Sequence, residues 1–177
     1  MCSGIRPIEQ GRLDMLCSIY AGINLLRLAK EIPADEFAAW EKFKDVIRAI
    51  PEEDGGDLVK VVTSGVDPAD IPWIMLKLDS RGVQELTPSE IQRALSSSTG
   101  VLIFIKKTDD DAEEPKTHYT VVRAVDESTG DYILFDSYGF ERLVGGEFLE
   151  GDAVQIEAAW VLADQSYTTQ GSVSSRM

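Results

Sequence analysis

The sequence has one histidine, two cysteines and no apolar run long enough to cross a membrane. Hydrophobic residues make up 44% and charged residues 27% of its 177 positions, as in globular domains and unlike disordered chains. No apolar stretch approaches the ~20 residues that span a bilayer, and the N-terminal residues contain no hydrophobic signal-peptide core. We therefore expect a cytoplasmic protein that does not insert into membranes.

Basic residues are scarce: 17 lysines and arginines stand against 31 aspartates and glutamates, which gives a net charge of -14. A surface of this sign repels the phosphates of nucleic acids, so nucleic acid is not an expected partner. We expect a protein or peptide substrate, and the acidic stretch Asp109–Glu114, just before His118, suggests that it is basic. A loop that only keeps the chain soluble explains this stretch equally well. The sequence leaves the oligomeric state open.

The two cysteines, Cys2 and Cys17, do not form a metal-binding pattern. The chain has no Cys-x-x-Cys spacing and no second histidine, so we expect neither a zinc site nor a cofactor. A disulfide between the two cysteines stays open, although one pair near the N-terminus is weak support for it.

The apolar pattern changes at Gly100, with helical spacing before it and strand-like runs after it. We predict helices at about 13–28, 35–50, 57–64 and 68–79, and one from the Thr87-Pro88-Ser89-Glu90 start to Leu95. We predict strands at 101–106, 119–125, 132–135 and 154–162, with a hairpin-like return through Gly139 to Val144. This order predicts one α+β domain over residues 1–165 with an antiparallel sheet, followed by a flexible tail at 166–177.

Three residues have side chains suited to nucleophilic catalysis. Cys17 lies near a helix start, where unpaired amides and the helix dipole favour a thiolate. His118 starts a predicted strand and is the only imidazole available as a general base. Asp136 ends the next strand, where its carboxylate can orient that imidazole. Each residue taken alone has an ordinary structural interpretation: a buried thiol, a half-exposed histidine and a turn aspartate. The three together favour a catalytic site.

Two further observations bear on this site. Pairing Val125 with Tyr132 brings His118 opposite the segment just past Asp136. Gln10 lies seven residues before Cys17, and its amide can donate to an oxyanion together with the Cys17 backbone N–H. That assignment depends on a catalytic Cys17.

The motifs around these residues resemble those of papain-like cysteine peptidases. The N-terminal motif is Gln10-Gly-Arg-Leu-Asp-Met-Leu-Cys17-Ser-Ile-Tyr-Ala, followed by Asn24-Leu-Leu-Arg. The later motifs are His118-Tyr-Thr-Val-Val and Phe135-Asp136-Ser-Tyr-Gly. The most similar branch is the compact bacterial one that contains the double-glycine leader peptidases. The resemblance spans about residues 8–140 and implies a papain-like fold, with a helical half packed on an antiparallel sheet.

The resemblance also implies a role for each residue. Cys17 is the nucleophile, His118 the base and acid, Asp136 the residue that orients His118, and Gln10 the oxyanion donor. The chain differs from the family where Ser18 replaces the usual glycine and where Gln10 stands seven rather than six positions before the cysteine.

The expected activity is that of a thiol-dependent hydrolase that cleaves a peptide, isopeptide or other amide bond through a thioester. Two alternatives remain. One is a catalytically silent papain-like module that serves in binding or immunity, and the other is an acyltransferase with the same Cys-His-Asp triad.

Overall fold

The computed structural model describes residues 6–9, 16–33, 35–50, 58–107, 116–139, 142–143 and 154–163. Within these ranges the α-helices are α1 (Cys17–Leu28), α2 (Glu36–Ala49), α3 (Leu58–Ser64), α4 (Ile71–Leu78) and α5 (Ile91–Leu95). The strands are β1 (Val83–Leu86), β2 (Val101–Lys107), β3 (Lys116–Val125), β4 (Tyr132–Leu134), β5 (Arg142–Leu143) and β6 (Val154–Leu162). Short 3₁₀ turns, Pro68–Asp70 and Pro88–Glu90, lead into α4 and α5.

The described strands form one sheet in the order β1-β6-β2-β3-β4-β5, and every neighbouring pair is antiparallel. The predicted α+β class is therefore confirmed. Strand β1 was not predicted, because Val83-Gln-Glu-Leu86 has apolar residues only at its ends. Its place depends on pairing with β6, from Val83 opposite Leu162 to Leu86 opposite Ala159.

Both faces of the sheet carry buried apolar side chains. Alternation along β2 directs Leu102 to one face and its neighbours Val101 and Ile103 to the other. One face packs against helices α1, α2 and α4, and the other packs against Ile91 of α5. The sheet thus separates two layers of apolar packing.

Helix α1 is the centre of the larger layer. Ten of its twelve residues are buried, because β3 lies on one side of it and α2 and α4 lie on others. A helix that is buried nearly all round has little freedom to shift. The first residue of this helix, Cys17, is therefore held firmly relative to β3.

Two of the predicted helix starts are formed as the sequence indicates. The Asp35 carboxylate accepts the Ala38 N–H at 2.8 Å at the start of α2. The Glu90 carboxylate accepts the Thr87 N–H at 2.9 Å before α5. The first helix was expected from residue 13, and the described helix begins at Cys17; positions 13–15 lie outside the described residues.

The position of His118 differs from the prediction. Strand β3 begins at Lys116, so His118 is the third residue of the strand rather than its start. The reason is its partner strand: β2 continues to Lys107, and that residue pairs with Lys116. Pairing of Val125 with Tyr132 is confirmed, and an irregularity between Val122 and Ala124 shifts the register beyond that pair.

The hairpin between β3 and β4 closes at a turn that contains Gly130. Gly130, with a φ of 79°, donates its N–H to the Asp126 carbonyl at 2.7 Å. The predicted return strand is present as β5, which pairs with β4. The predicted acidic loop 109–115 and the tail lie outside the described residues.

Candidate active site

Cys17 is the first residue of α1 and carries a free, buried thiol with 7% of the residue exposed. It is therefore not joined to Cys2. The first backbone hydrogen bonds of the helix run from Ile19 and Tyr20 to the Leu16 carbonyl, so the amide of Cys17 precedes the helical ladder. A sulfur at this position lies beside the positive end of the helix dipole.

His118 and Asp136 form a direct hydrogen bond across adjacent strands. His118 Nε2 lies 2.6 Å from Asp136 Oδ1, with 14% of the histidine side chain exposed and none of the aspartate side chain. The short distance and complete burial fix the carboxylate against one edge of the ring. With Nε2 occupied, Nδ1 is the ring nitrogen that remains for another partner.

The Cys17 thiol is close enough to the His118 side chain to act on the pKa of the imidazole. Burial by itself lowers the pKa of His118, but hydrogen bonds and charge interactions with Asp136 and Cys17 outweigh it and raise the pKa to about 9. Burial has the opposite effect on the pKa of Asp136, yet its bonds to His118 and other donors hold that pKa below the ordinary value. The pair therefore favours a charged imidazolium next to a carboxylate.

The other oxygen of Asp136 is held by the backbone. The Tyr138 N–H donates to Asp136 Oδ2 at 2.6 Å. The carboxylate is thus fixed at both oxygens, which prevents rotation away from His118.

Tyr138 has a second contact with the site through its ring. Its centroid lies 5.1 Å from that of His118, and the two ring planes are inclined by 45°. Tyr138 is 45% exposed, so it separates part of the His118 ring from solvent. This residue was not predicted from the sequence, although an aspartate side chain commonly accepts the backbone N–H two residues on, which places Tyr138 beside Asp136.

Tyr119 anchors the strand that carries His118. Its hydroxyl donates to the Val66 carbonyl at 2.9 Å, which ties β3 to the loop before α4. The ring packs against Phe104 and Trp160 on the face of the sheet that contacts α1. Burial, followed by the nearby Cys17 and by the acidic loop after Val66, raises the pKa of Tyr119.

We expect Tyr119→Phe to lower the free energy of unfolding by about 1–2 kcal/mol, because the Val66 carbonyl loses its buried donor. Urea denaturation measures the change. Tyr132→Phe is the matched control, since Tyr132 is also buried but its hydroxyl has no hydrogen bond within the described ranges. Equal losses in the two variants would contradict a specific role for the Tyr119 hydroxyl.

Gln10, the predicted oxyanion donor, lies outside the described residues, so the structure brings together only three of the four predicted residues. The chain just before it is described. Asn24, which is fully buried on α1, accepts the Ile8 N–H at 2.8 Å and donates to the Ile8 carbonyl at 3.4 Å. Asn24 lies seven positions after Cys17, or about two helical turns, so both residues share one face of α1. Residues 6–9 are thus tied to the helix face that carries the thiol.

Ser18 directly follows Cys17 in α1. Its side chain is 1% exposed, and its hydroxyl has no hydrogen-bond partner among the residues that the structure describes. The packing of α1 therefore accommodates this serine without a polar contact to the described part of the site.

A groove of about 640 Å³ lies between residues 6–9, α1 and α2. Trp40 and Phe43 of α2 stack on one wall, with ring centroids 5.3 Å apart, and Tyr20 of α1 contributes to the lining. Tyr20 is one helical turn from Cys17. Cys17, His118 and Asp136 do not line this groove.

Within the described ranges, every helix is too short or too polar to span a bilayer. No protein-family model matches this chain, and no curated protein matches it with statistical significance.

Proposed function

We propose that this protein is a thiol-dependent hydrolase with a papain-like fold that cleaves a peptide, isopeptide or other amide bond. The observation that supports the proposal most directly is the position of the His118 ring. Asp136 bonds one ring nitrogen at 2.6 Å, and the Cys17 thiol is close enough to raise the pKa of the same ring. A nucleophile, a base and a residue that orients the base are the components that covalent acyl transfer requires.

In the proposed reaction His118 holds the proton of Cys17, which leaves a thiolate beside an imidazolium. The sulfur attacks the carbonyl carbon, and the carbonyl electrons move to oxygen to form an oxyanion. When the C–N bond breaks, the imidazolium gives its proton to the leaving amine, and a thioester remains on Cys17. Neutral His118 then takes a proton from water, whose oxygen attacks the thioester and releases the acid.

Asp136 has an electrostatic and an orienting role in this scheme. Its buried carboxylate stabilises the imidazolium and keeps the Nε2–H directed toward itself, so Nδ1 serves the sulfur. The Tyr138 N–H holds the second carboxylate oxygen. The raised pKa of His118 follows from these contacts and supports a charged imidazolium at neutral pH.

We assign two hydrogen-bond donors to the stabilisation of the oxyanion. One is the backbone N–H of Cys17, which precedes the helical ladder of α1, and the other is the side-chain amide of Gln10. The bond between Asn24 and Ile8 supports the second assignment, because it ties the chain shortly before Gln10 to the Cys17 face of α1. The net charge of -14 favours a basic peptide or protein as the substrate.

The test is acylation of Cys17 by p-nitrophenyl acetate, a generic acyl donor. The rate at Cys17 is measured in the Cys2→Ser variant, and the rate at Cys2 is measured in the Cys17→Ser variant. We expect acetyl transfer to Cys17 to be at least about tenfold faster, because only Cys17 has an activating imidazole. Intact-protein mass spectrometry detects the acetyl adduct, and released p-nitrophenolate gives the rate. The adduct should then disappear as water hydrolyses the thioester.

Three outcomes separate the candidate functions. Loss of the adduct to water supports a hydrolase, whereas preferential capture by added glycinamide indicates an acyltransferase. If Cys17 is acylated no faster than Cys2, the catalytic proposal is wrong, and a silent binding module is the remaining interpretation.

A further inference from the structure

Thr120 is a polar residue in an apolar part of β3. It is 1% exposed, and its hydroxyl has no partner within 3.5 Å among the described residues. Buried hydroxyls usually have a hydrogen-bond partner. Valine has the same shape and an equal preference for strands, and the next two residues of β3 are valines. The hydroxyl at this position therefore needs an explanation in terms of a polar neighbour.

That neighbour is Asp136. Val122 pairs with Leu134, and the Phe135 N–H donates to the Val121 carbonyl at 2.8 Å, so the same register continues toward the site. When this register is continued by two residues on each of the two segments, Thr120 lies opposite Asp136. Directly opposed side chains lie on the same face of a sheet and contact each other. His118, two positions before Thr120, shares that face.

The Asp136 carboxylate has room for another donor. An ionised carboxylate can accept about four hydrogen bonds, and His118 and the Tyr138 N–H occupy one on each oxygen. Burial raises the pKa of this carboxyl, and its interactions with His118, with Thr120 and with the Tyr138 amide lower it again. The Thr120 hydroxyl makes no standard hydrogen bond within the described ranges, so its contact with the carboxylate is looser than those of His118 and Tyr138.

We infer that Thr120 is a positioning residue whose hydroxyl donates to the Asp136 carboxylate and keeps it charged and directed at His118. The inference rests on the proposed function, because it assumes that Asp136 stabilises the imidazolium beside the Cys17 thiolate. Thr120 itself does not touch the reacting atoms. Removal of the Thr120 hydroxyl should change the pH range in which the ion pair forms and should leave the fold intact.

The expected direction follows from the charges. Without the hydroxyl, the buried carboxylate is less well solvated, so Asp136 takes up a proton at a higher pH. A neutral Asp136 no longer stabilises the imidazolium, and the thiolate of Cys17 is lost with it. The reactivity of Cys17 should therefore decline at a higher pH as the solution is acidified.

The experiment measures iodoacetamide alkylation of Cys17 between pH 4 and 8 in a Cys2→Ser background. We expect Thr120→Val to move the midpoint of the acid limb upward by about half to one pH unit, which lowers the rate below that midpoint about three- to tenfold. Thr120→Ser keeps the hydroxyl and should restore the profile. Thr117→Val is the matched control, because it makes the same chemical change at an exposed site on the same strand.

A shift in Thr120→Val that serine reverses, with Thr117→Val unchanged, supports the inference. It is overturned if Thr120→Val has the wild-type profile or if Thr120→Ser shifts it equally. Should valine prevent folding, Thr120→Ala and Thr120→Ser replace the pair, and equal profiles in those two overturn the inference. Failure of the proposed function would give a different result. Either Cys17 would be unreactive in the wild type, or His118→Ala would react as fast as the wild type. Both results would show that the ion pair does not form, whichever residue stands at position 120.

Discussion

Replacing His118 by alanine is expected to slow the alkylation of Cys17 at pH 5.5 by about 10- to 100-fold. An ordinary thiol with a pKa of about 8.5 is only about one-thousandth ionised at that pH. In the proposed function His118 takes up the thiol proton as the sulfur attacks, whereas the variant depends on the small ionised fraction alone. The wild type should therefore react faster, and iodoacetamide with mass-spectrometric detection measures the difference.

The control for this experiment is Thr117→Ala, which truncates an exposed neighbour on the same strand. Its alkylation rate should equal that of the wild type. Cys2 serves as an internal reference, and its rate should not respond to either substitution. Retention of the wild-type rate in His118→Ala would show that the thiol is reactive for reasons unrelated to the imidazole, and the catalytic assignment of His118 would be wrong.

The second large effect concerns stability and its dependence on pH. The pKa of His118 is about 9 in the folded protein and about 6.5 when unfolded. A raised pKa means that protonation favours the folded state, so this contribution is complete below pH 6.5 and is lost as the pH rises through 9. Its size is on the order of 3 kcal/mol.

Asp136→Asn should remove most of that contribution, because asparagine accepts the Nε2–H but provides no negative charge for the buried ring. The difference in free energy of unfolding between wild type and variant should therefore be largest near pH 6 and shrink toward pH 9. Urea denaturation at a series of pH values measures it. Asp136 itself stays ionised across this range, since its pKa lies below the ordinary value.

Asp126→Asn is the matched control for this substitution. Asp126 is a turn carboxylate that accepts the Ser128 N–H at 3.0 Å, but it has no part in the His118 site. Its curve should run parallel to that of the wild type. A parallel curve for Asp136→Asn as well would mean that Asp136 does not control the charge of His118.

Much of the local structure could be predicted from the sequence because its signals are local. The Asp35 cap, the Thr87–Glu90 pair and the Gly130 turn depend on residues within four positions of each other, and all three are formed. The order of helices and then strands was enough to indicate the α+β class. Strand β1 escaped prediction because its pairing with β6 joins residues nearly eighty positions apart.

For the site, the sequence by itself determined which chemical groups are available: one imidazole, a thiol near a helix start and a carboxylate after the next strand. It also determined the short-range pairing of Val125 with Tyr132, which a tight turn sets. It did not determine that His118 lies inside β3, because the length of that strand depends on its pairing with β2.

Only the tertiary structure decided how these groups meet. The packing of α1 on β3 brings Cys17 to the His118 ring, and the register beyond the irregularity at Val122 brings Thr120 opposite Asp136. Such contacts depend on the burial of side chains from distant segments, which no single stretch of sequence encodes. The sequence thus determined the chemistry that this protein has available, and the packing of a helix against a sheet decided that one thiol, one imidazole and one carboxylate form a single site.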